Sequence, residues 1–193
     1  MTIEAESSPG RPMRSDARRN YERLLSEARA AFSEQGADAS LEEVARRAGV
    51  GIGTLYRHFP TRLALVEAVY RDDVDSLGTL ADEVRSLPPW EALVAWLTRF
   101  VSYAMTKRVL FAELAESVGK DSDLISHCRV AIREAAESVV VRAQNEGVIR
   151  RDVDVLDVMR LVGGMTMAPN PDPKQSERLL GLVLDGLRVG AKS

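Results

Sequence analysis

Between Ser40 and Arg62 the chain leaves very few ways to fold. Ser40, with Glu43 three residues later, has the spacing of a capping box, in which the serine oxygen takes the Glu43 amide and the glutamate returns to the Ser40 amide. The spacing predicts a helix that starts at Leu41. Leu41, Val44, Ala45 and Ala48 share one helical face, and Gly49 stands where a left-handed residue ends a helix. A second helix has no room before Gly51 and stops near Phe59, because Pro60 lacks the amide that would continue it. Two short helices across a glycine turn make a helix-turn-helix, a layout whose second helix suits the DNA major groove.

The rest of the chain also favours helix. Apolar residues are 45% and aromatics only 5%, with alanine, leucine, valine, glutamate and arginine dominant. Asp185-Gly186 falls inside a leucine-rich helical pattern, not between alternating strands. The expected fold class is all-α, with about nine helices. No run nears the roughly 18 apolar residues of a membrane span, and the acidic, polar N-terminus lacks the apolar core of a signal peptide. A cytoplasmic location and no membrane partner are expected. The single Cys128 excludes an intrachain disulfide and gives no Cys/His cluster for a metal. With two histidines and no catalytic motif, no catalytic residue, metal or cofactor is expected.

Charge is unevenly distributed. The whole chain carries −3, yet Arg11 to Pro60 is +2 and residues 61–193 are −3. A basic head on an acidic body suits a head that approaches phosphate while the body does something else.

Three segments follow. Residues 1–14 form a flexible basic arm without apolar period, either a mobile terminus or an arm that reaches DNA. Residues 15–60 form the helix-turn-helix domain, its third wall a helix from Asp16 to Gln35 carrying Tyr21, Leu24, Leu25, Ala28, Ala31 and Phe32 on one side. Residues 61–193 form a helical dimerisation domain. Its helices are expected from Thr61 to near Arg85, from Pro89 through Ala104, from Val109 to Val118, from Asp121 to Glu146, from Asp154 to Met167 and from Gln175 to Val189. Asp154 and Asp157 have capping-box-like spacing, and Pro169 to Pro173 reads as a loop. The last two helices are apolar nearly all round. Either they lie inside a monomer, or Val158, Leu161, Val162, Met165, Leu180, Val183, Leu184 and Leu187 meet a second subunit in a two-fold four-helix bundle, with Gly163, Gly164, Gly181 and Gly186 permitting close approach.

The residues VARRAGVGIGTLYRHFPTRLALVEAV, from Val44 to Val69, closely resemble the tetracycline-repressor (TetR) family of bacterial transcriptional regulators. The likeness is specific from Asp16 to Val69, because helix-turn-helix, Gly-Thr-Leu-Tyr, His-Phe and a basic residue three positions after the phenylalanine occur together. The resemblance implies three N-terminal helices that bind DNA, a connecting fourth, and a C-terminal domain that dimerises through its last two helices and holds a small-molecule effector.

Within the second helix of the motif, Gly51, Ile52 and Gly53 form an N-terminal end suited to a phosphate, and the two glycines let backbone come close. Ile52, Thr54 and Arg57 are the candidate groove readers. Tyr56, His58 and Arg62 match family positions that touch the DNA backbone. Other readings stand beside these: Tyr56 as half-buried core, His58 as a helix cap, Arg46 and Arg47 as a solvated face. Candidate effector-pocket residues are Trp96, Phe100, Tyr103, Phe111, Cys128, Met159 and Met165, which also suit a plain core, with Glu113, His127 and Thr166 as polar anchors. The expected function is a ligand-responsive homodimeric repressor on a palindromic operator, its reading helices about 34–36 Å apart or a multiple of that. It would be released by a small apolar or aromatic molecule. The alternatives are a helix-turn-helix protein without a ligand and a small helical enzyme.

Overall fold

The computed structural model describes residues 12–118, 122–167 and 173–190. Eight α-helices succeed one another among them: α1 Pro12–Gln35, α2 Leu41–Arg47, α3 Ile52–His58, α4 Arg62–Glu83, α5 Pro89–Val118, α6 Asp123–Asn145, α7 Val155–Met165 and α8 Pro173–Leu187. Short 3-10 turns, Gly36–Asp38 and Val84–Ser86, follow α1 and α4. The fold is all-α. The chain divides into two compact units, Met1–Leu65 and Val66–Ser193, and the division falls inside α4.

In the first unit α1 packs on α2 and α2 on α3. Leu24, Leu25, Ala28, Ala31 and Phe32 of α1 are buried, as are Leu41, Val44, Ala45 and Ala48, and Leu55 and Phe59 complete this small core. Tyr21, expected on the same stripe, lies at its exposed edge. The Ser40 oxygen caps α2 by taking the Glu43 amide at 3.1 Å. Gly49 at φ +68° closes the helix, with Val50 N–H on the Ala45 carbonyl at 3.0 Å and Gly49 N–H on the Arg46 carbonyl at 3.2 Å. That pair of bonds is a Schellman ending, which requires the left-handed residue glycine adopts without strain.

Two sequence expectations need correction. The helix expected at Asp16 begins at Pro12, because proline is at home in a helix's first turn and nothing in Met13-Arg14-Ser15 opposes helix. The last residues assigned to the arm are therefore helical, and residues 1–11 lie outside the described residues. The two helices expected across Ala104 to Val118 are one helix, α5, of 30 residues. No proline or glycine lies between Trp90 and Val118, so nothing forces a break.

In the second unit α5 packs against α6, α7 and α8, with α6 on α7 and α7 on α8. Ser122 caps α6, and Asp154 and Asp157 form a reciprocal capping box on α7. Trp96, Leu93 and Leu97 of α5 are fully buried; removing one such large side chain from water contributes about 1.5–3 kcal/mol. Arg150 N–H donates to the Leu187 carbonyl at 2.8 Å, tying the end of α8 to the segment after α6. The loop expected from Pro169 lies outside the described residues up to Asp172, and Pro173 opens α8.

Candidate DNA-reading surface and effector region

Gly51 starts α3 as an uncapped N-terminus, so the first amides of the helix have no side-chain partner. Leu55 and Phe59 point into the core and orient the helix. The opposite side carries Ile52 at 38% exposure and Tyr56 at 44%, with Gly51, Gly53 and Arg57 exposed and Thr54 half-buried. Tyr56 is thus a surface residue, not core. A Cβ added at Gly51 or Gly53 would meet no atom within 4 Å, and neither backbone is left-handed. Nothing inside the chain demands glycine at either place.

His58 is half-buried at the end of α3. Its ring lies 5.9 Å from that of Tyr21, in an edge-on arrangement, and 6.2 Å from that of Phe59. Sequence reasoning assigned Tyr21 to the core of α1 and missed this neighbour, because helical spacing alone does not mark where a stripe meets the surface.

The arginines of this unit face several ways. Arg46 donates twice to Glu43, at 2.7 Å each. Arg47 reaches Glu43 and Glu34, both at 2.8 Å, and so links α2 to the last turn of α1. These contacts, Arg46 before Arg47, hold the Glu43 carboxyl down at about 2. Arg62 is half-buried; its guanidinium donates to the Ala39 carbonyl and lies over the Phe32 ring, 5.0 Å from its centroid.

In the second unit the proposed pocket residues separate. Trp96, Phe100 and Tyr103 line one side of α5 and stack in series, Trp96 to Phe100 at 5.4 Å and Phe100 to Tyr103 at 5.9 Å. All three are buried, and Trp96 donates its indole N–H to the Leu77 carbonyl at 3.0 Å. Tyr103 donates to the Tyr70 hydroxyl at 3.3 Å. Burial pushes both phenols up from their ordinary range, Tyr103 the further. Lys107, one turn on, lies 5.9 Å from the Tyr103 ring centroid, and burial lowers its ammonium, with Arg129 adding to the effect. Cys128 is buried and its thiol is raised, chiefly by burial. Tyr70 and Lys107 escaped the sequence reading because each sits inside a regular helical pattern.

Met159 and Met165 are half-buried on α7, and the side chain of Phe111, like that of Glu113, lies outside the described residues. His127 is exposed, and the buried Thr166 donates back to the Gly163 carbonyl at 2.7 Å. A groove of about 450 Å³ lies elsewhere, lined by Asp72, Asp75, Ser76, Thr79, Leu80, Glu83 and Arg99. It contains none of the proposed pocket residues.

Of the eight residues assigned to a dimer seam, Val158, Val162, Leu180, Leu184 and Leu187 are buried within the single chain, and Met165 and Val183 are half-buried. Leu161 is 55% exposed, and farther along the chain Leu182 is 67% and Val189 62% exposed. Among the described residues no His, Cys, Asp and Glu cluster could hold a metal ion, and no helix is long and apolar enough to cross a membrane.

Residues 24–69 match the family model of bacterial regulatory proteins, tetR family, and residues 88–189 match the C-terminal domain of SbtR-like transcriptional regulators. The chain belongs to the TetR family. Among solved structures it is similar to the TetR transcriptional regulator SCO0520 of Streptomyces coelicolor, at 42% identity and a TM-score of 0.77, covering 88% of this chain and 99% of that one. A TetR transcription regulatory protein of Mycobacterium vanbaalenii gives 35% identity and 0.71, over 92% of this chain and 100% of that one. The HTH-type transcriptional regulator UidR of Escherichia coli K12 is 25% identical over 159 residues, 80% of this chain and 81% of UidR. These matches make the chain a TetR-family transcriptional regulator with a DNA-binding helix-turn-helix, and α2 and α3 are that motif.

Proposed function

We propose that this TetR-family regulator is a homodimeric repressor that reads a palindromic operator with α3 and leaves it when a small apolar or aromatic molecule binds the second unit. The observation that carries the DNA-reading assignment is the pair Gly51 and Gly53. Gly53 lies inside α3, where glycine costs up to about 1 kcal/mol relative to alanine, Gly51 is the N-cap of that helix, and no neighbour in the chain requires either one. Their value is external: they let the exposed amides at the start of α3 approach a phosphate closely. Ile52 and Thr54 then offer apolar contact to thymine methyls, and Arg57 a fork for a base edge. Tyr56 and His58 contribute donors to the backbone, which set register without reading sequence.

The exposed apolar side chains Leu161 on α7 and Leu182 on α8 support dimerisation through these helices. For the effector, the support is the buried Tyr70 and Tyr103 pair beside Phe100 and Lys107. An effector releases the operator only by binding more tightly to the DNA-incompetent state.

The test is selection of bound sequences from a random duplex pool, followed by anisotropy on the winner. An inverted repeat bound at nanomolar strength, and weakened at least tenfold by Tyr56→Ala, is the expected result. Enrichment of unrelated sequences with no repeat would count against the repressor reading.

A further inference from the structure

We propose that Arg62 is a positioning residue for DNA recognition: from the first turn of α4 it holds the Ala39 carbonyl and the Phe32 face, fixing the entry of α2 and, through it, the setting of α3. This rests on the reading of α3 as the DNA-contacting helix.

Two contacts make the link. The guanidinium donates to the Ala39 carbonyl, 23 residues back in the chain. Its Cζ lies over the ring of Phe32, 5.0 Å from the centroid, and Phe32 is a fully buried member of the α1 core. Ala39 is itself buried and immediately precedes Ser40, the cap of α2. A carbonyl fixed at this point fixes the direction in which the capping serine faces its amide. From α2 the constraint passes through the Schellman bonds at Gly49 and Val50 to the start of α3 two residues later.

Arginine suits the task. Its flat cation stacks on an aromatic face while an edge N–H bonds in the plane, a combination an ammonium does not reproduce. The α1–α2 connection is then gripped from two sides, by Arg62 at Ala39 and by Arg47 at Glu34. On this reading the basic residue three positions after Phe59 aids recognition from within its own domain, and adds no released counterion when DNA binds.

The experiment compares wild type with Arg62→Met, which keeps an apolar stem over Phe32 and removes every donor. Both are assayed on the duplex that wild type enriches from a random pool, on a scrambled duplex of equal length, and across a salt series, at a temperature where circular dichroism shows both folded. Amide exchange of the protein alone is followed at Ala39, Ser40 and Leu41. The expected result is a loss of about tenfold on the enriched duplex and little on the scrambled one, an unchanged slope of log K against log salt, and faster exchange at those amides. Equal loss on both duplexes with a slope reduced by about one would make Arg62 a phosphate contact and overturn the proposal. So would wild-type affinity on both duplexes, which would leave the residue a purely structural role. If Arg62→Met does not fold, Arg62→Lys is the milder variant, expected to show the same duplex preference in its loss at reduced size; equal loss on both duplexes, or wild-type affinity on both, would overturn the proposal. A wild-type protein that enriches no duplex would overturn the α3 reading and this assignment together, an outcome distinct from a variant that fails where wild type succeeds.

Discussion

The Ser40 hydroxyl oxygen takes the Glu43 amide at 3.1 Å, while the Glu43 carboxylate turns the other way, to Arg46 and Arg47. Half of the capping box implied by the spacing is therefore made, and the other half is exchanged for two guanidinium contacts. The side chain that still caps α2 is Ser40 alone. Ser40→Ala should lower unfolding stability by about 1 kcal/mol, and Ser40→Asp should keep most of it, since aspartate caps equally well. Urea unfolding checks both; an alanine variant as stable as wild type would mean that α2 is held by its packing.

The same geometry sets a pH dependence. The Glu43 carboxyl falls from its ordinary 4.5 to about 2, first through Arg46 and then Arg47. A folded value below the unfolded one gives stability that is fully present above about pH 4.5 and is lost as pH falls toward 2. Glu43→Gln removes the contribution at every pH. The gap between wild-type and variant urea midpoints should be constant from about pH 7 to pH 5 and should narrow below about pH 4.5. A gap that stays constant down to pH 3 would show that the ion pairs do not stabilise the fold. Because these groups are exposed, the gap should also shrink in high salt.

Gly53 separates stability from recognition. An alanine there has open space and ordinary backbone, so the helix should gain about 0.5–1 kcal/mol. If the glycine serves close approach to phosphate, Gly53→Ala should nevertheless bind the enriched duplex about tenfold more weakly, equivalent to about 1.4 kcal/mol. Thermal melts and anisotropy on one preparation read both numbers. A variant that gains stability and keeps its affinity would place the DNA backbone elsewhere.

These cases show what spacing carries and what it leaves out. The bounds of α2, of α3 and of the capped start of α7 were legible because serine, aspartate, glycine and proline act on the backbone within three or four residues. The unbroken α5 was not: the spacing reads as one helix through Ala104 and another from Val109, although no proline or glycine between them stops a helix. The surface of α3 was legible as well, because Leu55 and Phe59 fix which side is buried. The direction of the Arg62 guanidinium depends on a carbonyl 23 residues away, and no local rule reaches that far. On α7 and α8, apolar residues nearly all round left the choice of outward face open. The chain's own core takes Val158, Val162, Leu180, Leu184 and Leu187, and Leu182 and Val189 are left outside.

That outward face gives a test of the proposed dimer. Gly164 and Gly186 are exposed on α7 and α8, and a Cβ added at either meets no atom of the chain within 4 Å. In an isolated chain each alanine should therefore stabilise its helix by up to about 1 kcal/mol. If two α7–α8 pairs pack as a four-helix bundle across Leu161 and Leu182, the same methyl groups would push the helices apart. The Gly164→Ala/Gly186→Ala variant should then dissociate at about tenfold higher concentration in sedimentation experiments, equivalent to about 1.4 kcal/mol. Leu182→Glu, which places a charge in the same apolar seam, should give monomers that stay folded. A glycine variant that dimerises as wild type does and melts higher would put these glycines outside the seam. If Leu182→Glu also leaves the dimer intact, the bundle must use another face.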